Sequence, residues 1–416
     1  MGEGTLRVIP LGGLGEFGSN TMVYEFEDSA IVVDCGMKFP DSSILGVDVV
    51  IPDMSYLASI REKVHGIFLT HGHEDHIGAV PFLVEVVDAD VWGGSFALAF
   101  IKEKFREIQP SRNVMLNELE PRRKVKVGAF EIEPIHVTHS IVESMALAID
   151  TPAGVVFHTG DFKFDQTPVG GEATDFATIS SYGDRGVRVL VSDSTNAVTE
   201  GVCGSEASVR AALERIFDHS NGRVFITTFA SHIHRVQTVI DLAEEFERVV
   251  HFVGRSLVQN VAIAEKLGYL SVPRSVRPRS KEVDPDDVDA VIICTGSQGE
   301  PASSLARIAR GEHRKVSVQA GDTVVISART IPGNEREVMH VIDHLLRREV
   351  DVVYERAGIH VSGHAQREEL RMMLRNSARS ASSNISKLSC RNSAYPWMVL
   401  RGLRRSWAAI PRNWFF

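Results

Sequence analysis

Hydrophobic and polar positions follow two different rhythms along this chain. In the first half, short apolar runs succeed one another, and several end in a polar residue. Residues 6–11 (LRVIPL), 21–26 and 31–33 read as strands, with Glu27-Asp28-Ser29 as the turn between the last two. Residues 46–53 form a short apolar piece flanked by carboxylates, and residues 54–64 pattern as a helix. Ile67-Phe68-Leu69 and Val91-Trp92-Gly93-Gly94 read as buried strands, and residues 95–108 as a helix. Residues 124–127 and 130–135 alternate as strands of a half-buried sheet do, residues 145–149 and 154–158 form a hairpin, and residues 189–191 a further strand. After Gly201 helices alternate with short strands. Residues 207–219, 233–247, 258–267 and 334–348 are the helices, with another opening at Pro301. Residues 223–227, 249–253, 291–294, 323–327 and 351–354 are the strands. That alternation predicts a parallel α/β unit. A short helix over 368–374 follows.

The strand ends carry the chemistry. Asp34, the loop after Leu69, His139, Asp161 and Asp193 each follow an apolar run. Side chains delivered by separate strand ends to one edge are how α/β scaffolds build sites. The densest stretch is Thr70-His71-Gly72-His73-Glu74-Asp75-His76. Imidazoles and carboxylates are the usual zinc donors. The expectation is a strand ending at Thr70, ligands in the loop, and a helix beginning after His76. His71, His73 and His139 make a three-histidine site, Asp75 and His76 begin a second, and Asp161 is placed to bridge them. A nitrogen and oxygen ligand set suits two zinc ions, with manganese as the alternative. Paired ions of this kind neutralise charge that builds on a phosphate.

A competing motif is excluded. Gly13-Leu14-Gly15-Glu16-Phe17-Gly18 spells the dinucleotide fingerprint, with Asp34 downstream. That fingerprint needs a helix after its glycines. Here a strand, a turn and a strand follow, which is a hairpin. The glycines are expected instead to let the backbone pass close to the metal site, and Asp34 to support a metal ligand.

Composition adds compartment and charge. The 44% hydrophobic and 24% charged content of these 416 residues is that of a globular protein. No apolar run reaches membrane-spanning length, and the N-terminus lacks the pattern of a signal peptide. Cys35, Cys203, Cys294 and Cys390 are scattered, which fits a reducing cytoplasm. The net charge is −9, but residues after Arg375 contribute +7 and no acid, leaving −16 on residues 1–375. A polyanionic substrate would therefore rely on local basic patches and on the metals.

The remaining motifs sharpen the substrate class. LGGLGEFGSN, THGHEDHIGA, THS, TGDFKFD, SDSTN, FASHIHRVQ, TGSQGEP, IPGNE and HVSGHA occur in order between about residues 6 and 375. Together they resemble the ribonuclease J family, in the β-CASP branch of the metallo-β-lactamase superfamily. The resemblance implies an α/β fold: a metallo-β-lactamase αββα sandwich over residues 1–200, an inserted β-CASP α/β domain over 201–353, and a return to the sandwich over 354–375. It implies metal-dependent hydrolysis of RNA, by 5′-to-3′ exonuclease and endonuclease action, in cytoplasmic rRNA processing and mRNA decay. His71, His73, His139 and Asp161 would hold one zinc; Asp75, which also takes part in the reaction, His76 and Asp161 would hold the other. Asp193 would orient His364, which protonates the leaving oxygen or holds the scissile phosphate. His360, Val361, Ser362, Gly363 and His364 would contact RNA backbone, and Ser297 a 5′-monophosphate. Gly46 and Asp48 match a structural calcium position. His234 reads either as a supporting residue near the site or as an ordinary residue at a helix N-terminus. His232, His251, His313 and His360, each taken alone, read as surface or core histidines.

The resemblance stops after Arg375. The family continues to a PVHGE-like motif, whose histidine completes the second metal site, and to a C-terminal domain that assists homo-oligomer formation. Here residues 376–416 hold eight serines, three of the four tryptophans, seven basic residues and no acid. The reading is a shifted frame or a faulty gene boundary, with a disordered basic tail. It leaves two alternatives to the nuclease: an inactive RNA-binding remnant, and a hydrolase of small esters.

Overall fold

The computed structural model describes residues 4–40, 44, 46–280, 282–331, 333–355 and 358–377, with the backbone of two further strands, Asn384–Lys387 and Trp397–Leu403. The chain divides into two compact units. One comprises Met1–Gln166, Glu172–Cys203 and Gly363–Phe416; the other comprises Thr167–Gly171 and Gly204–Ser362.

The first unit is built on two sheets. The first sheet runs in chain order: β1 (Leu6–Gly12), β2 (Thr21–Phe26), β3 (Ser29–Val33), β4 (Val64–Phe68), β5 (Val91–Gly93) and β6 (Leu116–Glu118). β1, β2 and β3 pair antiparallel in succession, so the glycine-rich segment leads into a hairpin and no dinucleotide fold forms. β3 to β6 are parallel. The second sheet comprises β7 (Val125–Val127), β8 (Phe130–His136), β9 (Met145–Thr151), β10 (Gly154–His158) and β11 (Val187–Asp193), again neighbouring in order. Trp397–Leu403 pairs antiparallel with β11, and Asn384–Lys387 with Trp397–Leu403. The rest of the 376–416 tail beyond Ser377 lies outside the described residues.

Period-two alternation sorts the side chains into layers. On β2, Met22, Tyr24 and Phe26 join Ile31, Val33, Phe130, Ile132, Leu147, Ile149 and Val191 in the core between the sheets. Val23, Val32, Ile67 and Leu69 point the other way, against Leu57, Leu83, Leu98 and Ile101 of the helical layer. Behind the second sheet, Ala146, Ala148, Phe157 and Leu190 pack on Ile179, Tyr182, Leu370 and Met373. The order is therefore helix, sheet, sheet, helix, the αββα sandwich expected from the motifs.

The second unit holds one parallel sheet in the order β13-β14-β12-β15-β16. Its strands are β12 (Val224–Thr227), β13 (Val249–Val253), β14 (Ala290–Cys294), β15 (Thr323–Ile326) and β16 (Asp351–Val353). On one face Leu305, Ile308, Val338, Val341, Ile342 and Leu345 pack against Phe225, Ile292, Cys294, Val324 and Ile326. Near-continuous apolar strands are the mark of a sheet buried on both faces.

Local details differ from the pattern-based reading. The helix expected after His76 starts earlier, over Glu74–Ile77, with His73 at its N-cap, so Asp75 and His76 sit in a first helical turn. The helix expected over 54–64 breaks at Ile60 into Ser55–Ser59 and a 3₁₀ turn, Arg61–Lys63. The helix at Pro301 begins at Ser304, where Ser303 caps it. Two elements had no readable signal. β6 has only three residues. The helix Phe176–Arg185 (FATISSYGDR) is poor in strong helix formers; the Asp175 side chain caps it and Ile179 and Tyr182 anchor it. No helix among the described residues is long and apolar enough to cross a membrane.

Candidate metal centre

The ends of β3, β4, β8, β10 and β11 gather Asp34, the histidine loop, His139, Asp161 and Asp193 in the first unit. The loop is held by backbone bonds to the turn after β3 and to Asn20, just before β2. Cys35 N–H donates to His76 O, Met37 N–H to Glu74 O, and Asn20 N–H to Asp75 O. Gly36 makes the approach possible: a Cβ there would lie 1.6 Å from Asp75 O. Only glycine fits that position.

Three groups of potential ligands form, each with its donor atoms within 4.8 Å of one another: His71, His73 and His139; His71, His76 and Asp161; His139, Asp161 and His364. His73 Nδ1 lies 3.1 Å from His71 Nε2 and 3.2 Å from His139 Nε2. Asp161 Oδ2 lies 3.9 Å from His71 Nε2, 3.8 Å from His139 Nε2 and 3.2 Å from His76 Nε2. A tetrahedral zinc with bonds of about 2.0–2.1 Å spaces its ligands about 3.3 Å apart. Asp75 Oδ2 is 3.7 Å from His76 Nε2. All of these except His73, Asp75 and His364 are buried.

The hydrogen-bond pattern turns the imidazole lone pairs inward. His139 Nδ1–H donates to Gly363 O at 2.6 Å, which frees Nε2. His76 Nδ1–H donates to Asp34 Oδ2 at 2.7 Å, and His71 Nδ1–H to Thr70 Oγ1 at 2.9 Å. Thr70 Oγ1–H donates to Asp34 Oδ2 at 2.8 Å, and Thr70 N–H donates to Asp34 Oδ1 at 2.8 Å. Asp34 thus supports His76 directly and His71 through Thr70. This is the carboxylate contact that sets the tautomer of a metal-ligating imidazole.

Electrostatics agree with a cation site. Burial and the neighbouring imidazoles hold His71 and His139 well below the ordinary histidine range, so both are neutral donors. Burial opposes charge on His76, but Asp161, Asp75 and Asp34 outweigh it and raise its pKa. Burial likewise raises Asp161, against the pull of His76 and His364. A cluster of convergent lone pairs with little solvent fits a divalent metal.

At its rim, His364 Nδ1 donates to Asp193 Oδ2 at 2.9 Å and lies 3.8 Å from Asp161 Oδ2. Burial opposes its charge, yet Asp193 and Asp161 push its pKa up to about 9. Asp193 is fully buried and also accepts from Thr195 N–H at 2.8 Å. Gly363 packs tightly here: a Cβ would lie 2.9 Å from His139 Cε1.

The other sequence-derived candidates lie elsewhere. His360, Val361, Ser362, Ser297 and His234 belong to the second unit. Ser297 is buried between Gly296 and Gly299, both with positive φ. His234 approaches Gly170 and Gly171, while its neighbour His232 is the one that meets a buried carboxylate, Glu206. Gly46 and Asp48 are exposed and belong to no ligand cluster among the described residues. Sequence reasoning passed over Asn20, the last residue of LGGLGEFGSN. Its Nδ2 lies 3.1 Å from Asp75 Oδ2 and 3.0 Å from His76 Nε2. Its place at the end of a quoted motif was the available signal.

Residues 14–189 match the model of the metallo-β-lactamase superfamily, and residues 221–345 that of the ribonuclease J β-CASP domain. The chain belongs to the β-CASP branch of the metallo-β-lactamase superfamily. It resembles ribonuclease J over most of its length. Identity to ribonuclease J of Synechocystis sp. is 44% over 373 residues, covering 89% of this chain and 58% of that protein. Identity to ribonuclease J of Helicobacter pylori J99 is 45% over 378 residues, covering 90% and 54%. For Mycobacterium tuberculosis ribonuclease J it is 43% over 373 residues, covering 88% and 66%. The chain thus spans between about half and two thirds of the length of these curated relatives. A crystal structure of a protein of unknown function from Enterococcus faecalis V583 superposes with a TM-score of 0.62 at 15% identity, covering 89% of this chain and 91% of that one. That likeness bears on the fold alone. Metal binding is a superfamily property, and the histidine and aspartate cluster has the donor set for it.

Proposed function

We propose that the chain is a metal-dependent hydrolase of RNA phosphodiesters, acting on 5′-monophosphorylated single strands by exonucleolytic and endonucleolytic cleavage. The observation that carries this reading is the Asp193–His364 pair at the rim of the histidine and aspartate donor cluster. Metal ligands alone serve many hydrolases; a buried carboxylate that orients an imidazole beside them suits protonation of the oxygen that leaves a phosphodiester. The relatives named ribonuclease J support RNA as the substrate.

In this reading His71, His73, His139 and Asp161 hold one zinc, and Asp75, His76 and Asp161 the other, with manganese as the alternative. Divalent ions supply Lewis acidity toward phosphoryl oxygens and a nucleophile activated at neutral pH. Asp34 and Asn20 keep the ligands oriented. Asp193 holds His364 where it gives a proton to the leaving oxygen. Backbone from His360 to His364 grips the RNA, and Ser297 with its glycines offers N–H groups to the 5′-phosphate.

The test compares 5′-monophosphorylated RNA, 5′-hydroxyl RNA and generic esters, with bound metal quantified in the same samples. Cleavage of RNA, fastest with the 5′-monophosphate, is the expected outcome. Ester turnover without RNA cleavage would replace this reading, and RNA binding without any turnover would make the chain an inactive binder.

A further inference from the structure

A buried network in the second unit has no part in the metal chemistry, yet it ends at the root of the HVSGH segment. Arg235 is fully buried. Its Nε and Nη2 donate to Glu206 Oε2 at 3.0 and 2.7 Å. Its Nη1 donates to Ser327 Oγ, to Ser327 O at 3.2 Å and to Ile359 O at 3.2 Å. Ser327 Oγ donates to the same Ile359 O at 2.7 Å. Glu206 Oε1 meets His232 Nε2 at 3.3 Å. Glu206, His232, Ser327 and Ile359 are all buried as well.

The elements joined are distant in sequence. Glu206 opens the helix Glu206–His219, His232 caps the helix Ile233–Glu245, and Arg235 lies in that helix's first turn. Ser327 follows β15, with its N–H bonded to Thr227 O at the end of β12. A buried ion pair gains little net stability over well-packed apolar residues. What this one supplies is direction: a charged and a neutral donor fix a single carbonyl, and the next residues are His360, Val361 and Ser362. At the far end of that tripeptide, Gly363 O is fixed by His139 Nδ1.

We propose that Glu206, Arg235 and Ser327 form a positioning clamp that sets the backbone of His360–Ser362 for RNA. This rests on the RNA reading above. The clamp residues are not catalytic: they act through the Ile359 carbonyl.

The experiment uses the full chain and two variants. Ser327→Ala removes one donor to Ile359 O and leaves the ion pair whole. Glu206→Leu with Arg235→Met removes both charges together, so that no buried charge is left alone. Each is measured by hydrogen exchange of peptides spanning 358–364, by thermal melting, and by affinity for a phosphorothioate RNA that resists cleavage. In both variants exchange at 360–362 is expected to accelerate while the rest of the second unit stays protected. RNA affinity is expected to fall about fivefold for Ser327→Ala, the worth of one net hydrogen bond, and further for the double variant. Arg235→Lys, which keeps the charge and loses the fork, is expected to lie between wild type and the double variant. Unchanged exchange at 360–362 in folded variants overturns the clamp, whatever the RNA result. Faster exchange there with unchanged RNA affinity overturns its role in RNA binding. Wild-type protein that binds no RNA contradicts the RNA reading instead, and the exchange data still decide whether the clamp exists.

Discussion

Replacing Asp34 with asparagine isolates the support beneath the metal ligands. Asp34 is 1% exposed and has φ 58°, a left-handed conformation that asparagine also tolerates, so the backbone cost is small. The shape is kept and the hydrogen-bond logic is reversed. Thr70 N–H still needs an acceptor at Oδ1, at 2.8 Å. The amide –NH₂ must then occupy the Oδ2 position, where His76 Nδ1–H and Thr70 Oγ1–H now donate at 2.7 and 2.8 Å. Facing a donor, His76 has to move its proton to Nε2, the atom turned toward Asp161. A protonated Nε2 cannot ligate. The Thr70 hydroxyl reverses too and no longer accepts from His71. Outer partners of metal ligands are worth about 10–100-fold in affinity, and two ligands are disturbed here, so the loss is set at about 100-fold, or roughly 2.7 kcal/mol. Metal-free stability should fall by about 2 kcal/mol, from hydrogen bonds to a buried charge. The assay is chelator competition for zinc on wild type and Asp34→Asn, with urea unfolding of both metal-free forms. Unchanged zinc affinity in a folded Asp34→Asn protein would refute the orienting role.

Other expectations follow from the same geometry. Gly36→Ala forces a methyl group into Asp75 O and should cost about 3 kcal/mol in chemical denaturation, with bound metal reduced. His364→Ala and Asp193→Asn should lower the RNA cleavage rate by about 10²-fold or more with metal content unchanged, as measured by single-turnover kinetics and metal analysis. Asp175, whose carboxyl is lowered to about 2 by hydrogen bonds from Arg122 and Thr178 against a burial cost, caps the helix Phe176–Arg185. Asp175→Ala should cost about 1 kcal/mol at neutral pH. Because the folded pKa lies below the ordinary 3.8, that stability is present above about pH 4 and lost as pH falls toward 2, so the wild-type and variant melting curves should converge there.

The site was legible wherever one short stretch carried several donors. The THGHEDH loop and the polar residues closing apolar runs announced themselves, because a strand end is visible in the pattern and a histidine there is unusual. The αββα layering was legible through the resemblance carried by the ordered motifs, while alternation marked only the strands over 124–127 and 130–135. What stayed hidden depends on contacts between distant positions. Asn20 meets Asp75 across 55 residues, and Gly363 O meets His139 across 224. No local pattern encodes either. The early helix start at Glu74 was missed for a related reason: its first turn is stabilised by bonds from Cys35 and Met37, far back in the chain. Nothing local in the sequence marks Arg235 and Glu206 as partners; only the packing reveals them as a buried pair.

Metal-dependent RNA hydrolysis is tested by single-turnover cleavage of a 5′-labelled, 5′-monophosphorylated RNA, using chain stripped of metal and then reloaded with zinc or manganese. The stripped protein should not cleave, reloading should restore cleavage, and a His71→Ala, His73→Ala variant should not cleave under the same conditions. Cleavage that persists in the stripped protein or the variant, or a fully reloaded protein that leaves the RNA intact, would contradict it.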